Sequence, residues 1–514
     1  MLDDSELTGS DGLLEVSMAD PSGLLGLRRI FRKASRLSAA SLLASSLAIP
    51  ASFIAARWLG PKRYGDGQFI VLAYFYAALI RSGVFEGSIR SFIDRLAHRD
   101  EEGAIRDQNI GVTVEMAVSV IPGVILAIIG ITASPSIRQA GFFLAPLAVV
   151  ASSGNMFLST LWSARDRFDA VARLSTMRAF LGPAALVGLV ITIGTAGVFL
   201  APLATDLVTG LLYLLVRPSL RLRPVIDIAR ARTLLRAGFP LGAAAIVYWA
   251  YRLAGTTSLA VAASSATLGI YVFANAPITI ATRAIGGIQV VLIPAVWGQV
   301  APDDGPTPWT GQAERLTLAI AVIAGATTGL AQAVFGPLVL VLVPTFAPAV
   351  RIFDILALTI FLLPVATIPS LVLDSARVNR PGRHLGIWIV ALVVNCAANG
   401  LVLAMGKGPV ALAINDVWVQ LLVVVVLFEA SARHIWDEGS RRRLKLYGGL
   451  TLAFSLAVIL TTILDLSVSH QAAKHLDFGF LLLRCATTLI VWTALGFVLI
   501  RPAVSPLNRV RRGR

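Results

Sequence analysis

Residues 57–90 read RWLGPKRYGDGQFIVLAYFYAALIRSGVFEGSIR. The stretch leaves one long apolar segment, turns through a short Gly/Pro loop, and enters a second apolar segment that carries Arg81, Glu86 and Arg90. An ionisable side chain at membrane depth costs about 2.5–3.5 kcal/mol on insertion scales, so such groups face a polar cavity or a partner. A helix hairpin with this content predicts a membrane-spanning fold whose interior can hold arginine.

Composition points the same way. Of 514 residues, 56% are hydrophobic and only 14% charged, against about 25% charged in a soluble domain. The mean hydropathy is +0.78. The expected fold class is therefore an all-α polytopic membrane protein. A net charge of +15 would point to nucleic acid in a soluble chain. Here basic loops facing an anionic cytoplasmic leaflet account for it, and no nucleic-acid partner is expected. Cys396 and Cys485 both lie in apolar segments, so neither a disulfide framework nor a thiol metal site is expected. The chain has no GxxxxGK[ST] phosphate loop and no HExxH motif, and its five histidines fall in loops or at span ends. No catalytic residue, cofactor or metal is expected, and the chain is not expected to be an enzyme.

Residues 1–36 begin acidic (Asp3, Asp4, Glu6, Asp11, Glu15, Asp20) and turn basic only at Arg28. A signal peptide has the opposite order, so this segment reads as a cytoplasmic tail. About 20 apolar residues cross a bilayer as a helix. That length gives fourteen spans: 37–58, 68–89, 110–132, 139–162, 174–194, 196–216, 234–261, 268–297, 316–343, 347–373, 384–405, 409–429, 446–464 and 478–500. With the N-terminus inside, 32 Lys and Arg fall in inside segments and 6 outside, so both ends are expected to be cytoplasmic. The longest loop, 217–233, is Arg-rich and divides the chain. The expected organisation is two six-helix bundles, 37–216 and 234–429, then a linker and two further helices over 430–500, and a basic tail, 501–514. A weak internal repeat supports two halves: aligning Gly65 with Gly269 also aligns Phe69 with Phe273.

The intramembrane charges are the candidate site. Arg81, Arg252 and Arg283 lie deepest in their spans, where snorkelling is hardest. Glu86 and Arg90 are spaced i, i+4 and could pair, and Arg57 lies at the first turn. Glu115, Asp206 and Asp416 read as lone carboxylates, Arg351 and Asp354 as a local ion pair, and Arg178 and Arg484 as snorkelling side chains near span ends. The central cavity is assigned to Arg81, Arg252 and Arg283, with Arg57, Glu86, Arg90, Glu115 and Asp206 as further cavity or gating groups. Arginine suits bidentate capture of phosphate and carboxylate. An anionic head on an apolar tail would fit such a cavity, whereas an exporter of organic cations would show deep carboxylates. The pairs Gly83/Gly87, Gly238/Gly242 and Gly325/Gly329 are suited to close helix packing.

ARWLGPKRYGDGQFIVLAYF at 56–75, RSGVFEGSIR at 81–90, AGFPLG at 237–242 and LGIYVFANAP at 268–277 resemble motifs of a known family. It is the polysaccharide-transporter branch of the multidrug/oligosaccharidyl-lipid/polysaccharide (MOP) exporter superfamily, the O-antigen and exopolysaccharide flippases. The resemblance implies two six-helix bundles related by pseudo-twofold symmetry, with two added C-terminal helices. It implies alternating-access flipping of undecaprenyl-diphosphate-linked oligosaccharide across a bacterial inner membrane. Glycan polymerase and chain-length machinery are the working partners it implies. The chain departs from the family pattern at Arg81 and Tyr251, where acidic residues are usual. A lipid II flippase of the same superfamily, a multidrug or cation antiporter, and a membrane-embedded glycan polymerase or ligase remain open as alternatives. The last is disfavoured by the absence of a long outer loop.

Overall fold

A computed structural model describes residues 23–80, 83–98, 100–132, 137–164, 168–216, 223–299, 309–374, 380–435, 441–471 and 478–511. Its first helix, α1 (Gly23–Leu79), is two helices joined at Gly60, whose backbone lies at φ 70°, ψ 170°. A left-handed φ is open to glycine, and Pro61 restarts the helix because its missing N–H needs no partner there. The rings of Phe53 and Tyr64 both pack on Phe273, at 5.0 and 6.3 Å between centroids. Eleven residues of straight helix would rise about 16 Å, so the chain folds back at Gly60. The expected Gly/Pro loop has shrunk to one residue.

The second expected span, 68–89, is not continuous. The helix stops at Leu79, Gly83 takes φ 77°, and α2 (Val84–Ala97) leaves at 57°. Four helices complete the first half: α3 (Glu101–Thr132), α4 (Ile137–Ala164), α5 (Phe168–Ile193) and α6 (Ala196–Val216), with Gly194 at φ 64° making the expected break before α6. The second half opens with α7 (Ile228–Arg252), α8 (Ala254–Ala262), α9 (Ser265–Gln299) and α10 (Trp309–Leu342). The expected span 347–373 is divided into α11 (Pro348–Leu356), α12 (Leu358–Val365) and α13 (Thr367–Asp374), with turns at Ala357 and Ala366. It is the most enclosed span, 83% of its core window being buried. Then follow α14 (Pro381–Ala404), α15 (Pro409–Ile435), α16 (Arg441–Gln471) and α17 (Phe478–Arg511).

The described residues contain no strand. They hold 11 helices long and apolar enough to cross a membrane, or up to 13 if each of two bent pairs is one span, against the fourteen expected. The bends near Gly83 and Gly242 separate 11 from 13, and the fourteenth expected span is the helix that α1 joins to its neighbour at Gly60.

The halves meet along α1–α9 and α2–α7. Both contacts are built on glycine. A Cβ on Gly65 would collide with the Ser265 carbonyl oxygen, and one on Gly238 with the Gly83 carbonyl oxygen. The pairs Gly83/Gly87 and Gly238/Gly242 thus face each other, and Gly325/Gly329 receive the Trp492 ring of α17. All three small-residue pairs pack closely, as in membrane helix interfaces.

Candidate functional site

Two helix breaks converge on one polar pocket. Arg252 ends α7, and Leu253 breaks the helix before α8. Leu356 and Thr359 flank the α11–α12 turn. Tyr271 of α9, Asn395 of α14, and Asp416 and Gln420 of α15 complete the wall around a cavity of about 30 Å³, room for about two waters. The Tyr271 hydroxyl donates to Asp416 Oδ2 at 2.7 Å. Asn399 Nδ2 approaches Asp416 Oδ1 at 3.5 Å. Asn415 Nδ2 donates to Asn395 Oδ1 and Asn399 Oδ1 at 3.0 and 2.8 Å, holding both amides in register. Gly255 lets the α8 backbone come against the carboxylate: a Cβ there would strike Asp416 Oδ2 and lie 2.6 Å from the Tyr271 hydroxyl.

Two donor side chains of this pocket have spare capacity among the described residues. Arg252 lines it with no ion pair to any described residue, and its charge acts on Asp416. Gln420 is 2% exposed and its Nε2 has no hydrogen-bond partner. The arrangement can receive an oxygen-rich or anionic group.

Two polar latches join the halves. At the Gly60 end, Arg138 Nη2 donates to Asp66 Oδ1 and to Ser265 Oγ, both at 2.8 Å. Ser265 Oγ in turn donates to Asp66 at 2.8 Å, and the Arg138 guanidinium lies over the Phe69 ring at 4.5 Å. At the opposite end, Asp107 is 1% exposed. Arg230 Nε and Nη2 grip its two oxygens at 2.7 and 2.6 Å. Arg95 Nε and Ser91 Oγ add contacts at 2.8 and 2.6 Å. Arg106 pairs with Asp227 at 2.7 Å beside it. Asp107 and Thr132 are 25 positions apart on α3, about 38 Å of helix, so the latches close opposite ends together. Asp227 caps α7, and the Arg230 backbone N–H, then Arg106, hold its carboxyl below the usual range. The Gly103 N–H and Arg95 do the same for Asp100.

Of the three cavity arginines, Arg252 lines the pocket. Arg81 lies outside the described residues, and Arg283 lies on α9 with its side chain outside them. Arg57 is exposed beside the turn, and so is Arg90, which has no ion pair among the described residues. The Glu86–Arg90 pair that the i, i+4 spacing allows is not formed among the described residues, and Glu86 lies against Gly242 at the α2–α7 contact. Glu115 is buried in α3. Asp206 is not a lone carboxylate: Arg178 Nη2 donates to it at 2.6 Å and Asn155 Nδ2 at 3.1 Å. Arg178 reaches this buried carboxylate while about half of its own side chain, 49%, stays exposed. Arg484 stays inside, 5% exposed, while Arg351 is exposed and has no ion pair among the described residues. The partner of Arg178 lies on another helix, where spacing along one helix carries no signal. Asp416 read as isolated, yet Asn395, Asn399 and Asn415 stand among apolar neighbours. That run of amides at helical spacing was the available sign of a buried polar network.

No protein-family model and no curated protein sequence matches the chain. Solved structures do. A lipid II flippase, MurJ, in an inward closed conformation superposes with TM-score 0.66 at 10% identity, covering 91% of this chain and 99% of its own. An inward-facing multidrug resistance MATE family transporter of the MOP superfamily gives 0.55 at 17% identity, covering 78% and 98%. The fold is that of the MOP transporters. A further MOP superfamily transporter, from Pyrococcus furiosus and described as having a binding pocket of reversed polarity, gives 0.51 at 16% identity, covering 78% and 95%. These MOP neighbours are transporters and a flippase, not enzymes.

Proposed function

We propose that the chain flips a lipid-linked anionic oligosaccharide, of the undecaprenyl-diphosphate class, across a bacterial inner membrane by rocking its two halves. Arg81, Arg252 and Arg283 engage the diphosphate or acidic sugars, and both termini are cytoplasmic. The observation that carries this reading is the balance of charge in the second half. Asp416 sits in a pocket with Arg252, which has no ion pair among the described residues, and with an unpaired Gln420 amide, so the free capacity is for an acceptor. A site for organic cations would leave the carboxylate free instead. The wide match to a flippase supports the same class.

The test uses purified protein in vesicles with a labelled lipid-diphosphate sugar probe. Charge-assisted hydrogen bonds contribute about 1.5–3 kcal/mol, so Arg252→Ala and Arg283→Ala each lower flipping about tenfold or more. Wild-type flipping by both variants overturns the site. Lipid II is the second reading, favoured by the extent of that same match. Preference for a peptide-bearing lipid over an oligosaccharide-bearing one would select it.

A further inference from the structure

Beside the pocket lies a chain of three polar side chains that transport as proposed does not use. His384, in the first turn of α14, stands between Asp374 at the end of α13 and Trp388 one turn further on. His384 Nδ1 lies 3.0 Å from Asp374 Oδ1, and Trp388 Nε1 donates to His384 Nε2 at 2.9 Å. An indole N–H can only donate, so Nε2 must offer a lone pair. The ring's single proton is then on Nδ1, facing the carboxylate. Neutral imidazole in this tautomer satisfies both contacts.

A second proton would go onto Nε2 and meet the Trp388 N–H donor to donor. Asp374 faces Nδ1, so the ring can take the proton if the indole yields. Trp388 is 4% exposed, and its N–H cannot turn to solvent without moving the ring. The ring packs edge-on against Tyr248 at 5.0 Å and against Tyr251 at 5.3 Å between centroids. Tyr251 and its neighbour Arg252 line the pocket, so a shift of Trp388 reaches the pocket wall directly.

The other titratable groups around His384 leave this logic intact. On α14 and at its N-cap, Arg383 and Arg380 are exposed. From α7, Tyr248 and Tyr251 lie against the Trp388 ring, and Arg252 beside Tyr251 lines the pocket with Asp416 of α15. On α15, Glu429 accepts from the Tyr447 hydroxyl at 2.9 Å. The packed helix α8 has no titratable side chain.

We propose that His384 is a proton-binding site whose occupancy, passed through Trp388, sets the shape of the Arg252 pocket. This does not depend on which cargo is carried, because the test reads the protein without cargo. The full chain in lipid nanodiscs is titrated by tryptophan fluorescence, and the Trp388→Phe protein is subtracted to isolate Trp388. Scanned from about pH 8 to 5, the window in which histidine can act as a switch, the Trp388 signal should change in a single step. In His384→Gln the side-chain oxygen still accepts from Trp388 and the amide still donates to Asp374, but no proton can be taken up, so the step is lost. Asp374→Asn, an independent variant, removes the carboxylate that faces Nδ1 and should move the midpoint of the step. No step in the wild-type chain, a step that survives His384→Gln, or one unmoved by Asp374→Asn overturns the proposal.

Discussion

Gly65 and Gly269 are so close that a Cβ built on either would lie 2.9 Å from the backbone nitrogen of the other. They are the two residues that the internal repeat of the sequence aligns. The halves therefore touch, at the Gly60 end, through equivalent positions of the repeated unit.

That contact leaves no room for a methyl group. Gly65→Ala and Gly269→Ala each force the Ser265 or Pro61 carbonyl away. Overpacking costs about 1–3 kcal/mol, which outweighs the gain of up to about 1 kcal/mol in helix propensity. Both variants should melt earlier in thermal unfolding of the purified protein. Gly188→Ala, with open space around its Cβ position, should not.

Asp107 is the buried end of the opposite latch. Asp107→Asn leaves Arg230 without its bidentate partner, and breaking a buried pair costs about 3–5 kcal/mol. A double-mutant cycle with Arg230→Gln should give a coupling of about 0.5–3 kcal/mol. Equal and additive losses in the cycle would show that the two side chains act independently.

Acid should loosen the same end. The carboxyls of Asp227 and Asp100 titrate lower in the folded chain than in the unfolded one. Their stabilisation is full above the unfolded value of about 4 and is lost as pH falls through the folded value. Melting points recorded from neutral to acid pH should fall more steeply for the wild-type chain than for Asp227→Asn.

In the pocket, Tyr271→Phe removes the donor to Asp416 Oδ2, and leaving a buried acceptor short costs about 1–3 kcal/mol. Gly255→Ala pushes the carboxylate itself. Both should reduce transport of a lipid-diphosphate probe, with Gly255→Ala at least as impaired as Tyr271→Phe. Gly400→Ala, where nothing lies near the Cβ position, should transport normally.

Trp492 of α17 fills the space over Gly325 and Gly329 of α10. Large-to-small changes of buried aromatic residues cost about 3–5 kcal/mol. Trp492→Ala should therefore expose α17 to proteolysis in detergent, while Trp492→Phe protects it more.

The fold class was legible in composition and in runs of apolar residues, because a bilayer imposes length and polarity on any helix that crosses it. The glycine pairs were legible too, since only small residues allow backbones to touch. Ion-pair partners were not. Arg178 sits near one span end and finds Asp206 on the next helix. Spacing along one helix says nothing of such contacts.

The sequence by itself determined that this chain is a bundle of membrane helices, because hydropathy and the length of an apolar run are local properties. Tertiary structure alone decided where the apolar runs break and which polar groups those breaks expose. Arg252, Asp416, Tyr271 and Gln420 come from three helices far apart in the chain, and only packing of α7, α9 and α15 around the interrupted α11–α12 segment brings them to one pocket. A buried charge is stable only beside a partner, and the fold, not the order of residues, supplies it.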